Sequence, residues 1–301
     1  MDSSPTQDPI AELVTNYHEL NSSIIEELHE EPSPLEFMRY VARNTPFVVR
    51  GAARDWPAMR LWTLDFLKSV MGDQEVNVAV TPYGNADAPT PYTPPNSSSP
   101  PTLVFAKPHY ELQPFTHFLS RVTAQELAPS KGQEILYSQT QNDNLRSGEF
   151  APLFSLNHVP TQIPWARIAL CPKPARDLSS SWGSDYEDEP KLGPDAVNLW
   201  IGTSKSVTAL HRDNYENVYV QVAGEKHFVL LPPWDAACVN EQPLRPARYR
   251  RRENDGKLEL VLDKDIGEGD EPVPFATWDP DKPEVSQSAG PEGVCIAVNY
   301  W

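Results

Sequence analysis

Cysteine is scarce: Cys171, Cys238 and Cys295 are the only three in 301 residues, odd in number and far apart. Such a count offers no disulfide framework and fits a reducing compartment. No CxxC pair occurs, so a cysteine-ligated zinc site is not expected. Basic side chains are also few, 25 against 42 acidic, for a net charge of −17. A nucleic-acid binder needs a basic face toward phosphate, and direct nucleic-acid binding is therefore not expected. No apolar run approaches the roughly 18 residues that span a membrane. The N-terminus, MDSSPTQDPIAEL, lacks the basic-then-apolar order of a secretory signal. The expected setting is cytoplasmic or nuclear, away from membranes.

Proline, by contrast, is abundant, with 32 residues. Because proline interrupts helices and central strands, this favours long ordered loops and short strands over a helical bundle. Ten Phe, eleven Tyr and eight Trp can fill a sizeable core.

Apolar residues recur at three- and four-residue steps from Ile10 to Leu28, which predicts one amphipathic helix over 8–30. Ser33 with Glu36 forms a capping-box pattern before a second helix containing Phe37, Tyr40 and Val41. Thr63 is placed to cap a third, closed by Gly72. Strands are predicted at 46–51, 75–81, 102–108, 134–141, 196–202, 217–224 and 226–233, with Val76, Val78 and Val80 on one face. The Pro-rich stretch 82–101 reads as a loop, and the acidic stretch 177–193 as an exposed insertion. The basic run Arg245–Arg252 reads most simply as a solvated loop, or otherwise as a partner or homodimer contact. Helices then precede residue 72 and strands follow it. The class is α+β and mainly β, a sandwich or barrel with helices before it: a helical region at 1–43 and a β domain over 44–301.

Seven histidines among 42 acids predict about one acid two residues after a histidine by chance, and the chain has three. His29/Glu31 falls in the predicted first helix, where such residues face apart and serve as surface charge. His109/Glu111 follows a proline in a predicted loop. His211/Asp213 ends an extended stretch between two β-rich segments, where side chains two apart share one side. An imidazole and a carboxylate so placed are either an ordinary ion pair or half of a 2-His-1-carboxylate set for non-haem iron.

The run AVNLWIGTSKSVTALHRDNYENVYVQVAGEKHFVLLPP (196–233) closely resembles the iron-binding core of the JmjC (Jumonji-C) 2-oxoglutarate oxygenases. NTPFVVRGAARDWPA (44–58), EVNVAVTPYGNADA (75–88), LYSQTQ (136–141) and CIAVNYW (295–301) extend the likeness, in order, toward the peptidase and (3S)-lysyl hydroxylase subgroup. The resemblance implies a cupin-like double-stranded β-helix, with Fe(II) as metal and 2-oxoglutarate as cosubstrate. It matches His211 and Asp213 to two iron ligands and Lys226 to the lysine that pairs with the distal carboxylate of 2-oxoglutarate. Thr208 and Tyr137 match hydroxyls on that carboxylate, Asn217 and Asn299 match amides lining the pocket, and Trp301 matches a pocket wall. The implied activity is hydroxylation of a lysyl side chain on a protein substrate, with electrostatic steering of a basic partner by an acidic enzyme.

One departure stands out. The family's second histidine ligand should precede the VSQS stretch at 285–288, yet no histidine follows His227, and Pro283 and Glu284 occupy the place. The strand that would carry it is absent too, which predicts a missing segment near 284/285 and an incomplete β core toward the C-terminus. The alternatives are therefore a catalytically inactive cupin-like binding protein and an endopeptidase acting on basic tails.

Overall fold

In the computed structural model, residues 8–95, 97–170, 193–280 and 295–300 are described, the last by backbone alone. Asp8 caps α1 (Pro9–Leu20) through the Ile10 amide. The Asn-Ser-Ser turn after Leu20 ends the helix, so the predicted helix over 8–30 is half its expected length. The remainder contributes β1 (Glu26–Leu28), which pairs in parallel with β2 (Phe47–Val49). His29 thus lies beyond a strand rather than on a helix face. Between the two strands, α2 (Pro34–Arg43) opens with the predicted capping box: the Glu36 amide donates to Ser33 Oγ and the Ser33 amide to Glu36 Oε2, at 3.3 and 2.8 Å. Two short helices follow, α3 (Ala58–Leu61) and α4 (Leu64–Met71), the latter capped by Thr63.

The main sheet grows from β3 (Glu75–Thr81), where Val76, Val78 and Val80 are fully buried. It is flanked by β7 (His109–Pro114) and β8 (Ile135–Tyr137). Mutual backbone bonds between Ser138 and Ile201 join β8 to β9 (Val197–Gly202). That strand continues through β15 (Cys295–Tyr300) to β11 (Val218–Ala223). Six strands therefore curl in the order β7-β3-β8-β9-β15-β11. Asn144 stitches the curl from outside the ladder: its amide accepts from the Leu199 N–H at 2.7 Å and donates to the Leu199 carbonyl at 3.0 Å.

Against this sheet pack α2, α4, α5 (Phe115–Leu127), α6 (Ala151–Phe154) and α7 (Pro164–Leu170), burying Phe115, Phe118, Leu119, Leu136, Phe150 and Leu199 in one core. Helices are thus not confined to the chain before residue 72. The capless start of α5 at Pro114 explains why only its apolar spacing announces it.

A second sheet, β13-β12-β6-β5, corrects two loop readings. β5 (Ala88–Tyr92) lies within the Pro-rich stretch, after the two-residue β4 (Asn85–Ala86). Its prolines are tolerated because it is an edge strand, bonded only to β6 (Thr102–Lys107). β12 (Glu241–Arg251) contains most of the basic run, pairing with β13 (Leu258–Leu262) and β14 (Val273–Ala276) and burying Leu244, Ala247 and Tyr249. Three of its four arginines, Arg245, Arg248 and Arg251, are engaged with acids, while Arg250 is exposed. Arg248 bonds the fully buried Asp263, and Arg251 bonds Glu111 and Glu134. Glu111, with His109, sits in β7 and not in a loop.

The predicted strand at 226–233 does not form: no described strand pairs with it, and Phe228, Val229 and Leu230 stay exposed. β-rich composition cannot make a strand whose backbone groups have no ladder to join. The acidic stretch 177–193, except Gly193, and the junction at 284/285 lie outside the described residues, as do Cys171 and Trp301.

Candidate functional site

The site forms where β8, β9, β10 (Val207–Thr208) and β11 meet. Two glycines make the approach possible. At Gly84, with φ 83°, a Cβ would fall 1.8 Å from the Lys205 carbonyl oxygen. Its absence lets the Val207 amide donate to the Gly84 carbonyl at 2.9 Å and seats β10 alongside β4, Thr208 against Ala86. At Gly202 a Cβ would sit 2.7 Å from a ring carbon of Tyr137, so the bare backbone there admits the tyrosine ring.

Tyr137 and Lys226 are brought together from positions far apart in sequence. The ammonium donates to the Tyr137 hydroxyl at 3.1 Å. It also lies 5.3–5.7 Å from the ring centres of Tyr137, Trp200, Tyr219 and Phe228. Ring faces attract a cation, but they do not neutralise it. Among the described residues no carboxylate forms an ion pair with Lys226, so the charge is positioned for an anion brought from outside. Trp200, Tyr219 and Phe228 were absent from the residues singled out in the sequence. Their signal was the aromatic content of β9, β11 and the GEKHF motif itself.

His211 and Asp213 lie beyond β10 in irregular backbone, not in the extended strand expected of them. The chain nevertheless turns their side chains toward each other, with His211 Nε2 3.4 Å from Asp213 Oδ2. His211 Nδ1 lies 2.8 Å from the Ala209 carbonyl oxygen, which can only accept, so Nδ1 carries a proton. In the neutral ring Nε2 then points a lone pair at a carboxylate, an arrangement that a cation between them would satisfy.

The fit stops at two donors. Among the described residues no group of three His, Cys, Asp or Glu converges on one point. A facial set for iron needs three protein donors. The residues described here do not complete an iron site.

Thr208 is exposed at the end of β10, and Asn217 is exposed just before β11; neither is bonded to Lys226 or Tyr137. The backbone of Asn299 in β15 stands opposite Tyr219 and Asn198, and its side chain lies outside what is described. Asp87, which no sequence pattern singled out, is half-buried directly after β4. Its carboxylate accepts from the Gln139 amide at 2.9 Å. Burial pushes this carboxyl up, against the hydrogen bond from Gln139 and the positive charge of Lys107 and His211.

This architecture agrees with the comparisons. The cupin-like domain family matches residues 32–287. The human bifunctional peptidase and (3S)-lysyl hydroxylase JMJD7 is 33% identical, the match covering 91% of this chain and 82% of the human protein. The lysine-specific demethylase JMJ32 of Arabidopsis thaliana is 31% identical over 92% of this chain and 81% of its own. JmjC domain-containing protein E of Dictyostelium discoideum is 34% identical over 78% and 62%. With a curled sheet closed by helices and a family match over most of its length, the chain belongs to the cupin-like family, in its JmjC branch of 2-oxoglutarate oxygenases.

Proposed function

We propose that this protein binds 2-oxoglutarate through Lys226 and acts as a protein hydroxylase on a lysyl side chain. One observation carries the reading: the Lys226 ammonium, hydrogen-bonded to the Tyr137 hydroxyl in a box of four rings, has no carboxylate partner among the described residues. A dicarboxylate offers the missing counter-charge. Its distal carboxylate takes a charge-assisted bond from Lys226 and a hydroxyl bond from Tyr137. Thr208 would supply a second hydroxyl and Asn217 an amide, as the family likeness assigns them; the same likeness assigns Asn299, of which only the backbone in β15 is described. The ring faces add cation–π attraction that holds the ammonium in place for the ion pair. Fe(II) is the family's metal and would supply the oxidising chemistry. His211 and Asp213 are the residues that would hold it, the imidazole with its Nδ1 proton fixed on Ala209. The lysyl target follows the human relative, a (3S)-lysyl hydroxylase by name.

A second reading is a cosubstrate-binding protein without turnover, and the set of only two donors among the described residues favours it. Calorimetric titration of the purified chain with 2-oxoglutarate, alone and with Mn(II), tests the shared part. Binding is expected, with K226M weakening it by roughly tenfold or more through loss of a charge-assisted bond. A wild type that ignores 2-oxoglutarate under both conditions would overturn both readings. Succinate formation with Fe(II) then separates them: production lost in D213A supports the hydroxylase, and binding without succinate supports the silent protein.

A further inference from the structure

Asp87 is the charged group of this site that the cosubstrate reading leaves without a task. It stands one residue past the pairing of Ala86 with Thr208, on the segment that runs beside the chain leading to His211. Its backbone lies in the left-handed region at φ 51°, a conformation aspartate accepts more readily than most residues. The Gln139 amide fixes one carboxylate oxygen at 2.9 Å, and Gln139 comes two residues after Tyr137, the partner of Lys226. Burial and the nearby Asp87 charge raise the Tyr110 phenol above its ordinary value.

A half-buried carboxylate ordinarily has a cation beside it, because removing its charge from water is costly. Here none of the described cations forms an ion pair with it. Lys107, the nearby lysine, is engaged by Asp263 at 2.8 Å. His211 faces Asp213. A role as third metal ligand is excluded among the described residues, since Asp87 does not converge with His211 and Asp213 into a three-donor group. What remains is a preformed acceptor, oriented by a neutral amide, adjacent to the reaction centre and lacking a positive partner.

We propose that Asp87 receives the ε-ammonium of the substrate lysine. This rests on the reading of a lysyl target and deepens it. Asp87 becomes the specificity-determining residue, and the partner is a segment presenting an unmodified, positively charged lysine. Held there, the ammonium would sit on the segment that runs beside the chain leading to His211 and Asp213. Acetylation of that lysine would remove the charge and the contact together.

Fluorescence anisotropy with a short fluorescein-labelled peptide, carrying one lysine among Gly, Ser and Ala, tests the proposal on the full chain. The wild type is expected to bind the lysine peptide and to bind its acetyl-lysine twin at least roughly tenfold more weakly, the scale of one charge-assisted bond. D87N should lower lysine-peptide affinity by a similar factor, with D87E recovering part of it. Equal affinity for both peptides, or lysine-peptide affinity unchanged in D87N, would overturn the assignment. Should D87N fail to fold, judged by its thermal melt, the acetyl-lysine comparison on the wild type decides alone. A parallel 2-oxoglutarate titration of the wild type separates the layers. Cosubstrate binding with Asp87-independent peptide binding sinks this inference and leaves the cosubstrate site standing, whereas Asp87-dependent peptide binding without 2-oxoglutarate binding does the reverse.

Discussion

Two β-rich runs of this chain meet opposite fates. In β3, Val76, Val78 and Val80 are completely buried between two neighbouring strands and the helices α4 and α5. In 226–231, Phe228, Val229 and Leu230 are 47, 41 and 54% exposed, and no described strand pairs with the run. The two runs are similar in composition and differ in company. A strand is stabilised by a paired ladder on its edges and apolar contact on its face, and only the first run has both. The residues of chemical interest fall on the second kind of backbone. His211, Asp213 and Lys226 all sit where regular pairing has ended, held by side-chain contacts and by short anchors such as the Gly84–Val207 bond.

The comparison breaks most visibly if the core half proves dispensable. Leu136 is fully buried in β8, against the central cluster, and Leu136→Ala should cost about 3 kcal/mol or more in urea unfolding, as lost transfer energy plus a cavity. Measurement of less than about 1 kcal/mol would mean that this core is not the source of stability argued above.

A smaller effect is expected where charge rather than packing holds an element. Asp263 is 1% exposed and takes bonds from Arg248 and Lys107 at 2.9 and 2.8 Å, tying β12 to β6. Burial alone would raise its carboxyl, but the two cations outweigh that and hold it below the usual carboxylate range. A depressed folded-state value means the contribution is complete above the unfolded value, near pH 3.9, and disappears as pH falls through the folded one. Asp263→Asn should therefore destabilise by about 2 kcal/mol at neutral pH. The difference from wild type should hold between about pH 5 and 8 and shrink below about pH 4. A gap that persists at low pH would assign the loss to shape instead of charge.

Sequence patterns were sound where a local rule decides the outcome. Ser33 and Glu36 cap α2, and the alternation of β3 buries its valines, because both depend on neighbours in sequence. The family likeness placed Tyr137 and Lys226 in one site, and they lie in hydrogen-bond contact. What escaped depended on distant partners. Arg248 and Arg251 of β12 read as solvated until Asp263, Glu111 and Glu134 were brought to them from elsewhere in the chain. α5 shows the spacing of Phe115, Phe118, Leu119 and Val122, yet begins at a proline that makes no side-chain cap. His211 and Asp213 were assigned to one strand; they face each other through a turn in irregular backbone, a geometry no two-residue period describes. Asp87 became visible only through the β4–β10 pairing.

The smallest expected effect separates fold from function most sharply. Phe228 contributes one ring to the box around Lys226, 5.6 Å from the ammonium, while its own side of the chain is unpaired and 47% exposed. Phe228→Ala should then leave the unfolding free energy within about 0.5 kcal/mol of wild type, as for surface positions. Losing one exposed cation–π contact, about 0.5–1 kcal/mol, should weaken 2-oxoglutarate binding by roughly two- to fivefold. If stability falls by the several kcal/mol typical of a buried aromatic instead, residues 226–231 are part of the packed core and the contrast with β3 collapses. If affinity alone moves, the aromatic box belongs to the site and the exposed run is there for the ligand, not for the fold.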